Sequence, residues 1–134
     1  MKYSYSLSLV HPFAKLDSIT NLLDISPKRA WEFGAPRQAA NGNIMEGLRK
    51  ETYCLYKLST KTEETLPEWL STNEFRLSSI MSQLEHLADT GGTFILIVFV
   101  FPEDDEHFAL QLDPEHLSLL SSLHLRLGID LYFN

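Results

Sequence analysis

Gly91-Gly92-Thr93-Phe94-Ile95-Leu96-Ile97-Val98-Phe99-Val100-Phe101 is the stretch whose pattern decides the fold. From Thr93 onward it reads as a strand, with Phe94, Leu96, Val98 and Val100 on one face and Ile95, Ile97, Phe99 and Phe101 on the other. Both faces are apolar. Such a strand lies centrally in a sheet with cover on both sides, or has its second face closed by a partner, so a homodimer through that face is one expectation. The glycine pair supplies the positive φ with which helices commonly end. The acidic run Pro102-Glu103-Asp104-Asp105-Glu106 reads as the turn that follows.

Working outward, the residues before the glycine pair repeat at helical spacing through Leu77, Ile80, Met81, Leu84, Leu87 and Ala88. Ser71 and Glu74 offer that helix a capping box, and Leu66-Pro67 begins a helical turn ahead of it. Beyond the acidic turn, His107 to Leu112 alternates as a strand with Phe108, Leu110 and Leu112 inward. Asp113-Pro114-Glu115 then starts a helix that buries Leu117, Leu120 and Leu123, Gly128 closes it, and Ile129, Leu131 and Phe133 face inward from a last strand. Toward the N-terminus, Lys2 to Val10 is a strand with Tyr3, Tyr5, Leu7 and Leu9 on one face. Asp17 caps a short helix to about Asp24, with Ile19, Leu22 and Leu23 as its buried stripe, and Pro27 stops it. Residues 37–51 show no sustained period and read as a long loop, and Tyr53 to Leu58 restores a strand. This order predicts one α+β domain over 1–134. It would have two layers, a mostly antiparallel sheet of about five strands and helices mainly on one face, related to ferredoxin-like or split βαβ folds.

A chain of 134 residues with a net charge of −7 holds one core and on balance repels a phosphate backbone, so nucleic acid is disfavoured and a basic partner is attracted. The lone Cys54 has no partner for an internal disulfide and reads as a buried structural thiol in a reducing compartment. The N-terminus lacks the continuous apolar segment of a signal peptide, and Phe94 to Phe101 is too short to span a bilayer as a helix. The expectation is a soluble, cytoplasmic protein that does not engage a membrane.

Rare residue types crowd together in Asp24 to Arg37, and two chemistries are open to them. Arg29, Trp31 and Arg37, around Gly34, can grip a carboxylate or phosphate, or the arginines can simply pin a loop. His11, His86, His107, His116 and His124 lack metal-ligand spacing and read as surface or half-buried. Cys54 sits in an apolar strand unsuited to a thiolate, and the glycines match no phosphate-binding loop. No catalytic residue, metal or cofactor is therefore assigned. Glu103, Asp104, Asp105 and Glu106 form the densest charge run, a solvated turn or a docking patch for a basic protein.

The segment Leu22-Leu23-Asp24-Ile25-Ser26-Pro27 followed by Lys28-Arg29-Ala30-Trp31-Glu32-Phe33-Gly34-Ala35-Pro36-Arg37 resembles the signature of the bacterial domain of unknown function DUF4279. The order of later elements agrees, although Tyr53, Leu55 and Tyr56 stand where such domains often carry a tryptophan. The resemblance implies the fold and supplies no catalytic residues. By analogy with small proteins encoded beside secreted toxins, the expected function is a non-enzymatic interaction protein, such as an immunity protein that neutralises a basic toxin. The alternative is a small-anion module using Arg29 and Arg37.

Overall fold

The computed structural model describes residues 1–133. The chain runs through β1 (Lys2–His11), α1 (Asp17–Leu23), β2 (Arg29–Trp31), β3 (Pro36–Gln38), β4 (Ile44–Leu48), β5 (Thr52–Lys57), α2 (Leu66–Ser78), α3 (Met81–Asp89), β6 (Thr93–Phe101), α4 (Pro114–Ser122) and β7 (Leu125–Leu131). Five strands form one sheet in the order β2-β5-β1-β6-β7, and β3 pairs with β4 as a separate hairpin. Neighbours in the sheet are antiparallel except β6 and β7, which run parallel and are joined through α4. The predicted α+β, mostly antiparallel sheet is thus present. Its one βαβ unit has no strand inserted between its parallel pair.

β6 lies inside the sheet, as its two apolar faces require. Register places Leu96 beside Leu7 and Leu127, and Phe94 beside Leu9 and Leu125. These residues, with Cys54 and Tyr56 of β5, form the core-facing side, and the buried side chains of all four helices pack into the same cluster. Tyr5 stacks on Trp69 of α2 with ring centroids 4.4 Å apart and donates its hydroxyl to the Glu64 carbonyl at 2.6 Å. Ile95, Ile97, Phe99 and Phe101 are half-buried on the opposite face and contribute nothing to that cluster. Among the described residues that face carries no helix.

Local chemistry shifts several predicted boundaries. The buried Leu16 occupies the N-cap of α1, so Asp17 sits in the first turn rather than capping it, and Leu22 is exposed. Asp24, at φ 54°, ends α1 in left-handed geometry before Pro27 is reached. The predicted long helix is two helices, broken around Ser79 and Ile80. The working box is Thr65 and Glu68, whose carboxylate takes the Thr65 hydroxyl at 2.8 Å, so Ser71 and Glu74 fall in mid-helix. His124, at φ 56°, makes the turn out of α4 that was expected of Gly128.

Gly128 instead lies within β7 opposite Ile97, where an added Cβ would come 3.2 Å from the Ile95 side chain. β7 therefore begins earlier than expected. Its inward residues are Leu125 and Leu127, while Ile129, Leu131 and Phe133 are exposed, as is Leu117 of α4. The strand expected over His107 to Leu112 is absent because β7 already occupies that side of β6. Phe108, Leu110 and Leu112 still pack partly buried against the core. The expected loop over 37–51 contains the β3–β4 hairpin, whose residues are all exposed and so carry no burial period.

Gly92 is needed for close approach rather than for positive φ, which belongs to Gly91. A Cβ at Gly92 would stand 2.7 Å from the Phe94 ring and 2.9 Å from the Leu87 carbonyl oxygen. Gly92→Ala is therefore expected to cost about 1–3 kcal/mol by overpacking, read as a lower urea midpoint. An unchanged midpoint would mean that the Phe94 ring gives way freely.

Candidate functional site

The two charged features singled out in the sequence lie at opposite ends of the sheet. Trp31 aligns through Tyr53 and Val10 with Thr93, the first residue of β6, whereas the acidic turn follows Phe101, its last. At a rise of about 3.3 Å per residue the two are roughly 26 Å apart.

At the acidic end, Glu103, Asp104 and Asp105 are exposed, with Asp104 in left-handed geometry at φ 49°. Glu106 is engaged internally: its carboxylate takes the Met1 ammonium at 2.9 Å and the Glu103 N–H at 2.8 Å. The Met1 hydrogen bond, helped by the Glu103 N–H, holds its carboxyl below the usual range. Three carboxylates of the run thus face solvent from a turn that Glu106 fastens in place.

At the other end the structure separates the predicted anion residues. Arg29 is exposed on β2, the sheet-edge strand, paired in register with Leu55. Trp31 packs on Tyr53 with centroids 4.6 Å apart, and with Arg37 it walls a hollow of about 260 Å³ that excludes Arg29. Arg49, missed in the sequence, completes it: its guanidinium lies 4.0 Å from the Trp31 ring centre, and its buried Nε has no hydrogen-bond partner among the described residues. Lys50 and Glu51 also line this hollow, so one carboxylate stands among the cations. The Arg49 N–H donates to the Ala35 carbonyl at 2.8 Å and its carbonyl accepts from Gly34 at 2.9 Å, which closes the base of the hairpin. The Asn41-Gly42-Asn43 tip, read as part of a long loop, is the signal that could have found this pairing, since such tips favour hairpin turns.

Exposed apolar side chains also gather at the hairpin end. Phe33, Ile44, Met45 and Leu48 are all exposed, Ile44 by 76%. Elsewhere the reactive residue types are quiet. Cys54 is buried, and desolvation pushes its thiol up, away from the thiolate form. His11, read as surface or half-buried, is fully buried. Among the described residues no three His, Cys, Asp or Glu side chains come together as a metal-binding group, and no helix is long and apolar enough to cross a membrane.

Compared with known proteins, the chain matches the family model described as "Domain of unknown function (DUF4279)" over residues 1–134. No curated protein and no solved structure matches it. The match spans the Pro27-to-Arg37 corner, the hairpin and the closing β6-α4-β7 unit alike, and the chain therefore belongs to the DUF4279 family.

Proposed function

We propose that this chain is a non-enzymatic interaction protein whose recognition element is the hairpin end of the sheet. The observation that carries this reading is the exposure of Phe33, Ile44, Met45 and Leu48 beside a hairpin that pairs only with itself. Aromatic, Met and Arg side chains are the types enriched in protein interfaces, and Trp31, Arg37 and Arg49 flank this patch. The net charge of −7 and the exposed Glu103, Asp104 and Asp105 favour a basic partner, of which a toxin neutralised by an immunity protein is one. In that case the acidic end steers encounter and the hairpin supplies lasting contact.

A second reading, a small-anion module, is favoured by one observation, the unpartnered Arg49 Nε beside Trp31 and Arg37. It replaces the expected Arg29 with Arg49.

Co-expression with the product of the adjacent reading frame separates the two readings. Ile44→Asp with Leu48→Asp is expected to weaken the complex at least about tenfold, as loss of an apolar anchor does, while the melting temperature holds. If the complex survives that double variant, the hairpin is not the interface. If instead no complex forms and inorganic phosphate stabilises the wild type but not Arg37→Ala, the small-anion reading stands alone.

A further inference from the structure

We propose that the helix-free face of the sheet carries a second binding site, distinct from the hairpin hollow, for a small organic anion with a flat apolar body, such as an aromatic carboxylate or aryl phosphate. A cavity of about 340 Å³ opens there, toward the acidic end of the sheet. Three lysines, Lys28, Lys57 and Lys61, stand around it, and among the described residues no carboxylate lines it. In a chain with 11 basic and 18 acidic residues, composition alone does not collect three ammonium groups around one cavity.

None of the three has an ion-pair partner among the described residues. Met1 and Glu106 make the one ion pair among the described residues, which leaves these three side chains open to a ligand. Among the described residues Asp130, the register partner of Phe99, is the single carboxylate that strand alternation places on this face, and it lies outside the cavity. An anion bound here would relieve the mutual repulsion of the lysines as well as pairing with them.

The opposite wall calls for a flat apolar body. Phe101 and Tyr132 stack with centroids 5.3 Å apart, Phe99 lies 5.9 Å from Tyr132, and the Lys61 ammonium already sits 4.1 Å above the Phe101 ring. A planar ring can pack against this aromatic cluster, taking the place of the Lys61 ammonium on the Phe101 face, while its anionic end reaches the lysines. Ser4 and Ser6, projecting from β1 into the same cavity, offer hydroxyls to the head group. The volume lies at the small end of ligand pockets, which fits one ring plus a head group rather than a polymer. The apolar second face of β6 forms one wall of this site.

Titration of isotope-labelled protein with phenyl phosphate, inorganic phosphate and benzyl alcohol tests this by amide chemical shifts. Phenyl phosphate is expected to move the Ser4, Ser6, Lys57 and Phe99 amides saturably. The neutral alcohol should bind at least about tenfold more weakly because it lacks a charge-assisted contact worth roughly 1.5 kcal/mol or more, and inorganic phosphate about as much more weakly because it lacks the ring, whose burial is worth roughly 1.5 kcal/mol or more. Lys57→Glu and Lys61→Glu, both at exposed positions, should weaken phenyl phosphate about tenfold or more and leave the spectrum otherwise folded. The proposal is overturned if shifts fail to saturate by about 10 mM, if the alcohol binds equally well, or if the responding amides are those of Trp31, Arg37 and Arg49. That last outcome would place the ligand in the hairpin hollow instead.

Discussion

Leu96→Ala is expected to lower the unfolding free energy by about 2–5 kcal/mol, a large share of the roughly 5–15 kcal/mol available to a domain. Leu96 is fully buried at the middle of the inner strand, flanked in register by Leu7 and Leu127. Neighbours on both sides are fixed by ladder hydrogen bonds, so the cavity left by the truncation cannot readily collapse. Its sequence neighbour Ile97 gives the contrast. Ile97 projects from the helix-free face, is only half-buried, and faces Ser6 and Gly128. Ile97→Ala should therefore cost less than half as much, since it removes less apolar area from cover. The pair also tests the homodimer expected from two apolar faces. If both variants cost the same, and the melting temperature rises with protein concentration, a second copy closes that face. If Ile97→Ala is mild and the transition is independent of concentration, β6 is central by virtue of its sheet alone.

What could be read from the residues, and what could not, follows from where the burial is. Core-facing alternation along β1, β5 and β6 was legible because Tyr5, Leu7, Leu9, Cys54, Tyr56, Phe94 and Leu96 are all buried there, which imposes period two on composition. The same logic found Leu77, Ile80, Leu84 and Leu87 but missed the break between α2 and α3, because the buried stripe continues across it. β3 and β4 left no periodic pattern for the opposite reason, being exposed at every position, and only the turn residues at their tip mark them. The parallel arrival of β7 was also hidden. Sequence pattern does not state which side of β6 a strand will take, and that choice turned His107 to Leu112 from a strand into a packed crossing segment. The candidate sites share this limit. Trp31 and Arg37 were found as rare types in one stretch, whereas Arg49 joins them only through the hairpin, and Lys28, Lys57 and Lys61 meet only through sheet register and the crossing of the β5–α2 link.

His11→Ala is expected to destabilise the protein by about 3 kcal/mol or more, a loss that separates a structural histidine from a surface one. The ring is fully buried at the end of β1. Its Nδ1 accepts the N–H groups of Phe13 and Ala14 at 3.1 and 2.8 Å, and its Nε2 lies 2.8 Å from the Thr90 hydroxyl. That hydroxyl donates onward to the Leu87 carbonyl at 3.2 Å, so Nε2 carries the proton and Nδ1 must be bare. Truncation leaves two backbone donors without their acceptor, each costing about 1–3 kcal/mol where buried, in addition to the lost ring. Protonation does similar harm by setting an N–H against two N–H donors, and burial itself lowers the affinity of this ring for a proton. The folded state thus binds that proton less readily than the unfolded chain, whose histidine titrates near about 6.5. Stability from His11 is complete above that pH and is lost as pH falls through the lowered folded value. Thermal unfolding followed from pH 8 to 5 should show a decline that begins near about pH 6.5. His11→Asn distinguishes this from a general acid effect, because the Asn oxygen can accept from the N–H groups two and three residues on. It should recover part of the stability lost in His11→Ala and flatten the decline. Equal stability of the two variants, or an unaltered pH profile in His11→Asn, would remove His11 as the clasp between β1 and the α3–β6 turn.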